Sequence, residues 1–190
     1  MRLIIGMSGS SGVIYGIRML EVLKQQPDVE THLVMSAAAR MNIPIETDFK
    51  PQDVDAMADV VHAVKDIAAN ISSGSFRTDG MIVAPCSMKT LSAIVNSYSD
   101  NLVARSADVV MKEGRRLVLM PRETPLHIGH TRLLYEAAQM GIVIAPPMPA
   151  FYNRPESLDD IINHSVGRVL DLFGVEPDIV KRWTGLKSKD

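Results

Sequence analysis

The chain has 190 residues, 46% hydrophobic and 22% charged, with a formal net charge of −2. That is the size and balance of one soluble globular domain with a sizeable core, and it gives no electrostatic case for binding nucleic acid. No apolar run approaches the roughly 20 residues of a membrane span, no basic and then apolar leader opens the chain, and the single cysteine, Cys86, excludes a disulfide framework or multi-cysteine metal site, so a cytoplasmic setting is expected.

Taken in chain order, short apolar runs alternate with helical stretches. Strands are predicted at 2–7 (RLIIGM), 31–35 (THLVM), 80–84 (GMIVA), 116–120 (RLVLM) and 141–145 (GIVIA), with a weaker sixth near 60–64 (VVHAV). The runs are apolar throughout, as in a parallel sheet covered on both faces. Residues 13–25 place Ile14, Ile17, Leu20 and Val22 or Leu23 on one side of a helix. A second helix spans 101–113, and a third, 126–140, lies between Pro125 and Gly141. In the last helix Ser157 and Asp160 form a capping box, and Gly174 ends it. Its apolar face is Leu158, Ile161, Ile162, Val166, Val169 and Phe173. This alternation predicts one Rossmann-like, doubly wound α/β domain over residues 1–190, in three α/β/α layers. The segment 146–152 is too rich in proline for a helix or a sheet interior, and the polar tail 184–190 is expected to fray. The 12 methionines suit core packing first and subunit contacts second.

Ligands of open α/β sheets sit beyond the carboxyl ends of the strands, where the strand order reverses. If strands 2–7 and 80–84 flank that reversal, the loops GMSGSSG (6–12) and PCSMKT (85–90) meet in one crevice, with Ser36-Ala37-Ala38 as a third loop. Helix amino ends and serine hydroxyls there would make an anion cradle. The first loop has neither the spacing G-x-G-x-x-G nor a lysine after its glycines, and Ser36 stands where a dinucleotide fold wants an acid for the ribose. A mononucleotide phosphate remains. Arg105 and Lys112 share a helix face, Arg122 follows a strand, and Arg168 lies in the last helix. Glu46 and Glu123 are candidate carboxylates in loops. No carboxylate or cysteine completes a metal set with His127 and His130, so no metal is expected. Cys86 has no base to activate it and reads as a space-filling residue.

The stretches GMSGSSGVIYG, ETHLVMS, ISSGSFRTDGMIVAPCSMKTLS, ADVVMKEGRRLVLMPRETPLH, PPMPAFYNRP and RVLDLFG with RW behind it resemble the UbiX/Pad flavin prenyltransferases along essentially the whole chain. The loop APCSMKT departs from the PASANT-type loop of the related flavin-dependent cysteine decarboxylases. The resemblance implies a metal-independent enzyme that alkylates reduced FMN with dimethylallyl monophosphate, first at flavin N5 and then at C6. The product, prenylated FMN, would pass to a UbiD-type decarboxylase, and the enzyme would be a homo-oligomer, typically a dodecamer. It further implies that Gly9, Ser10, Ser11, Ser36, Ser87, Met88, Lys89, Thr90 and Arg122 bind FMN. Ser73, Arg105, Lys112, Tyr152, Arg168 and Trp183 would bind the prenyl phosphate, some of them from a neighbouring chain. Glu46 would be the acid beside the leaving phosphate, Glu123 a proton-transfer carboxylate, and Ser11 its relay.

Overall fold

The computed structural model describes residues 1–185; residues 186–190, most of the stretch expected to fray, lie outside the described residues. Six strands form one wholly parallel sheet: β1 (Arg2–Met7), β2 (Glu30–Met35), β3 (Val60–His62), β4 (Gly80–Cys86), β5 (Arg116–Pro121) and β6 (Val143–Ile144). Their order is β3-β2-β1-β4-β5-β6. The chain winds outward from β1 to β3, then returns to lay β4 on the other side of β1. The strand order therefore reverses between β1 and β4, which meets the condition under which the loops after them share one crevice.

Alternate residues of each strand feed two cores. Leu3, Ile5, Met7, Leu33, Met35, Ile82, Val118 and Met120 face α1 (Val13–Leu23) and α7 (Leu158–Asp171). Ile4, Val34, Met81, Val83, Leu117 and Leu119 face α4 (Met88–Val95), α5 (Leu102–Lys112) and α6 (Ile128–Gln139). With both faces covered, neither shows polar alternation, which is why the strands read as continuous apolar runs. Met7, Met19, Met35, Met81 and Met120 are fully buried, while Met41 and Met148 are 66% and 70% exposed, so methionine serves both core and surface. No helix of the described residues is long and apolar enough to cross a membrane.

The departures from expectation have local causes. Gly141 ends α6 with φ 81°, so β6 shrinks to Val143–Ile144 instead of starting at residue 141. The Nδ1 of His127 accepts from the Gly129 N–H at 3.0 Å and caps α6, which starts two residues later than predicted. A turn closed by the Asp66 N–H on the Ala63 carbonyl (2.9 Å) cuts β3 to three residues. Leu158 is 77% exposed and leaves the apolar face assigned to it. The Ser157–Asp160 capping box and the left-handed Gly174 stand as predicted. Two helices carry too weak an apolar stripe to be read from sequence: α2 (Ala37–Glu46), with Pro44 inside it and only Ala39 and Ile43 buried, and α3 (Pro51–Asp55).

Gly16 lets α1 lie close on the sheet: a Cβ there would sit 2.3 Å from the Ala84 carbonyl oxygen and 3.0 Å from Met7. In an open helix Gly→Ala gains about 0.5–1 kcal/mol, but overpacking against a backbone oxygen costs about 1–3 kcal/mol. Gly16→Ala is expected to be net destabilising, read as a lowered urea midpoint with unchanged slope.

Candidate functional site

The crevice is built on Ser8, at the end of β1 and 1% exposed. Its hydroxyl donates to the Pro85 carbonyl at 3.0 Å and accepts from the Ser87 N–H at 2.7 Å. The Ser8 N–H donates to the same carbonyl at 3.1 Å. One side chain thus ties the loop after β1 to the loop after β4. Gly9 follows, where a Cβ would lie 2.5 Å from the Ala38 Cβ. Gly12 turns the chain into α1 with φ 102°. At Gly9 and Gly16 protein approaches protein too closely for a Cβ.

A cavity of ≈ 420 Å³ opens above this brace, lined by Gly9, Ser36, Ser87, Lys89, Thr90 and Asn101, with Ala37, Ala38, Ala93, Asp100 and Val103 completing it. Three helices begin on it. Ser36 caps α2 by accepting from the Ala39 N–H at 3.0 Å, so Ala37 and Ala38 belong to its first turn and not to a loop. Ser87 caps α4, accepting from the Thr90 N–H at 3.3 Å and donating to Thr90 Oγ1 at 3.1 Å. Asn101 caps α5 through the N–H groups of Val103 and Ala104. The serine hydroxyls therefore act first as helix caps. The remaining N–H groups of the first turns have no intrahelical acceptor and sit at the positive end of the helix dipole. Asp100 and Asn101 escape the sequence-based site, although Asn ahead of an apolar run is a helix-start signal.

Ser10 supplies a test of what the cradle could hold. Its Oγ is buried and, among the described residues, has no hydrogen-bond partner. A buried hydroxyl without a partner costs about 1–3 kcal/mol, which a ligand oxygen would relieve once the Ser10 side chain turned into the cavity. Exposed Lys89 adds a cation at the rim, and the volume is within the range of small-ligand sites. These residues fit an anionic mononucleotide such as FMN. Two larger, wider hollows of ≈ 530 and ≈ 890 Å³ open around Arg115. They lie at the amino edge of the sheet, where no helix presents its N–H groups.

Not every predicted residue joins the cavity. Ser11 is exposed and off the cavity lining, and Met88 is half-buried in the first turn of α4. Glu46 is the last residue of α2, not a loop residue, and its Oε2 accepts from the N–H groups of Gly12 (2.8 Å) and Val13 (3.1 Å). It occupies the amino end of α1, immediately after Ser11. Arg122 follows β5, its N–H donating to the Cys86 carbonyl at 3.3 Å; it and Glu123 are exposed. A second group gathers at α7: Tyr152 meets His164 at 2.8 Å and the Trp183 ring edge-on at 5.7 Å, and Arg168 pairs with Asp171 at 2.6 Å. His164, which no sequence signal marks, belongs to this group. A third group is Ser73, Arg105 and Lys112. Arg105 donates to the Ser72 carbonyl at 3.2 Å and pairs with Asp108, and Lys112 pairs with Glu113 beside Gly74. At 1.5 Å per residue, Lys112 lies about 16 Å along α5 from the cavity-lining Asn101. Cys86 is fully buried, and that burial pushes its thiol up to about 12, so it is no nucleophile.

Residues 1–169 match the sequence profile of the Flavoprotein family. Over 186 residues the chain is 60% identical to the flavin prenyltransferase UbiX of Escherichia coli strain K12, covering 97% of this chain and 98% of that protein. The chain belongs to the UbiX family. Within the UbiX family, a dodecameric FMN-dependent UbiX-like decarboxylase from Escherichia coli O157:H7 has a TM-score of 0.96 to this structure, at 55% identity and 97% and 100% coverage of the two chains. AnUbiX, solved in complex with FMN and dimethylallyl pyrophosphate, has a TM-score of 0.95 at 50% identity, covering 98% of each chain.

Ser8→Ala removes the brace and leaves the Ser87 N–H without its acceptor. A loss of about 1–3 kcal/mol is expected from urea unfolding, with faster amide exchange in both loops than in the strands that carry them.

Proposed function

We propose that this protein is a flavin prenyltransferase that moves a dimethylallyl group from dimethylallyl monophosphate to reduced FMN. The observation that carries this is the UbiX-family match over 97% of the chain at 60% identity, set on a cavity whose donors suit a mononucleotide. Reduced FMN supplies the electron-rich N5 and C6 positions that are alkylated.

The residues divide the work. Gly9, Ser10, Ser36, Ser87, Met88, Lys89 and Thr90 hold FMN, with Arg122 reaching in from the adjoining strand end. Tyr152 and Arg168 take the prenyl phosphate, and Trp183 closes over them and excludes water. Phosphate leaves readily only when its charge is neutralised and a proton is supplied. Glu46 and Glu123 are the proton carriers, with Ser11 between the loop and Glu123. Because Lys112 lies far along α5 from the cavity of its own chain, Ser73, Arg105 and Lys112 serve the site of a neighbouring copy in a homo-oligomer. Exposed Phe151 (73%), Met148 (70%) and Ile45 (75%) supply apolar surface for that assembly. Prenylated FMN passes to a UbiD-type decarboxylase.

Anaerobic incubation with reduced FMN and dimethylallyl monophosphate, followed by mass spectrometry of the flavin, tests the reading. A mass gain of one dimethylallyl unit is expected, and its absence overturns the assignment. In the same assay Glu46→Gln is expected to slow the first alkylation and Glu123→Gln mainly the ring closure. The glutamine Oε1 of Glu46→Gln still accepts from Gly12 and Val13, so this variant isolates the proton from the helix cap, worth about 1 kcal/mol.

Arg168→Ala is expected to raise KM for the prenyl phosphate about tenfold or more with FMN affinity unchanged, since a charge-assisted hydrogen bond is worth about 1.5–3 kcal/mol. Loss of FMN in its place would assign Arg168 to the other phosphate.

A further inference from the structure

His164 stands in the wall shared by two hollows. One, of ≈ 150 Å³, is lined by Met120, Met148 and Arg168; the other, of ≈ 190 Å³, by Asn153 and Lys181. Its Nε2 lies 2.8 Å from the Tyr152 hydroxyl, and the two rings meet edge to face at 5.6 Å and 78°. Trp183 closes on the same phenol from another side at 5.7 Å and 81°. His164 and Arg168 are four residues apart on α7, hence neighbours on one helix face.

The oxygens of a phosphate dianion only accept. Tyr152 therefore helps such a ligand only by donating its own proton, and the group 2.8 Å away decides whether that proton is free. If the imidazole Nε2 accepts, the phenol proton is spent on His164. If Nε2–H donates, the phenol oxygen accepts and its proton points elsewhere. Burial and the nearby Arg168 charge lower the proton affinity of His164, against an opposing pull from Asp171. A neutral ring carries one N–H, so its tautomer sets the direction of the whole chain of bonds.

We propose that His164 is a positioning residue of the prenyl-phosphate subsite: its Nε2–H donates to Tyr152 Oη and commits the phenol proton to the phosphate held by Arg168. The inference rests on the assignment of Tyr152 and Arg168 to that phosphate. An anion beside Arg168 favours this tautomer, because N–H to O–H to phosphate is then one polarised chain.

The test is steady-state kinetics under anaerobic conditions with saturating reduced FMN and varied dimethylallyl monophosphate. His164→Leu is expected to lower kcat/KM about tenfold, the size of one lost hydrogen bond to a charged system, through KM for the prenyl phosphate and with FMN affinity unchanged. His164→Gln, whose amide N–H can reach the same oxygen, recovers most of the loss. Adding His164→Leu to Tyr152→Phe costs no more than about a further twofold. Losses that multiply in the double variant, or wild-type kinetics in His164→Leu while Tyr152→Phe is impaired, overturn the role of His164 and leave the subsite assignment standing. Wild-type KM in both Tyr152→Phe and Arg168→Ala overturns the subsite, and this inference with it.

Discussion

The site depends on one buried hydroxyl. Between β1 and β4 the chain changes direction of winding, and nothing in the ladder of a parallel sheet forces the two loops beyond those strands to a common height. Ser8 does so, by bonding the Pro85 carbonyl and the Ser87 N–H at once. With both loops fixed, the amino ends of α2 and α4 open into one cavity. A valine in its place would satisfy the core and lose the site.

Around that brace the fold spends its polar groups on itself before it spends them on a ligand. Ser36, Ser87 and Asn101 cap three helices, and Glu46 fills the amino end of α1. What remains for an anion is the unsatisfied backbone of three helix starts. Such a cradle is ready before the ligand arrives, because the capping residues have already ordered the N–H groups. Binding then loses less side-chain entropy than a site of free serines would.

The central strands were legible because they are buried on both faces, so Leu3-Ile4-Ile5 and Met81-Ile82-Val83 carry one meaning whichever face a residue takes. The crossover point entered the sequence reading only as a condition, because apolar runs do not reveal strand order. Helix α2 was not: it rides the rim, buries only Ala39 and Ile43, and carries Pro44, so it has no stripe to read. The same exposure hid Glu46 as a helix residue. The loop residues of the cradle were readable one by one, and their division into caps and free donors was not, because it depends on which hydroxyl faces which N–H in space. His164 escaped for a similar reason. Its partner is 12 residues away in a proline-rich loop, and no local pattern links the two.

The cations of the α7 group converge on one carboxylate. Asp171 takes both guanidinium nitrogens of Arg182, at 2.7 and 3.0 Å, as well as one from Arg168 at 2.6 Å. Arg182 thereby holds the Asp171 carboxyl below the usual range, with Arg168 a lesser cause. The segment carrying Arg182 lies across α7 at Gly167, where a Cβ would meet Val180 at 2.0 Å. Because Arg182 is bidentate, Arg168 can turn from Asp171 to a phosphate without stranding the carboxylate. Arg168 is 57% exposed while Asp171 is largely buried, at 13% exposed, so the proposed exchange of Arg168 onto a phosphate needs a second cation left on the carboxylate. Docking of the C-terminal segment, which also brings Trp183 to Tyr152, thus supplies Asp171 with a second cation, Arg182.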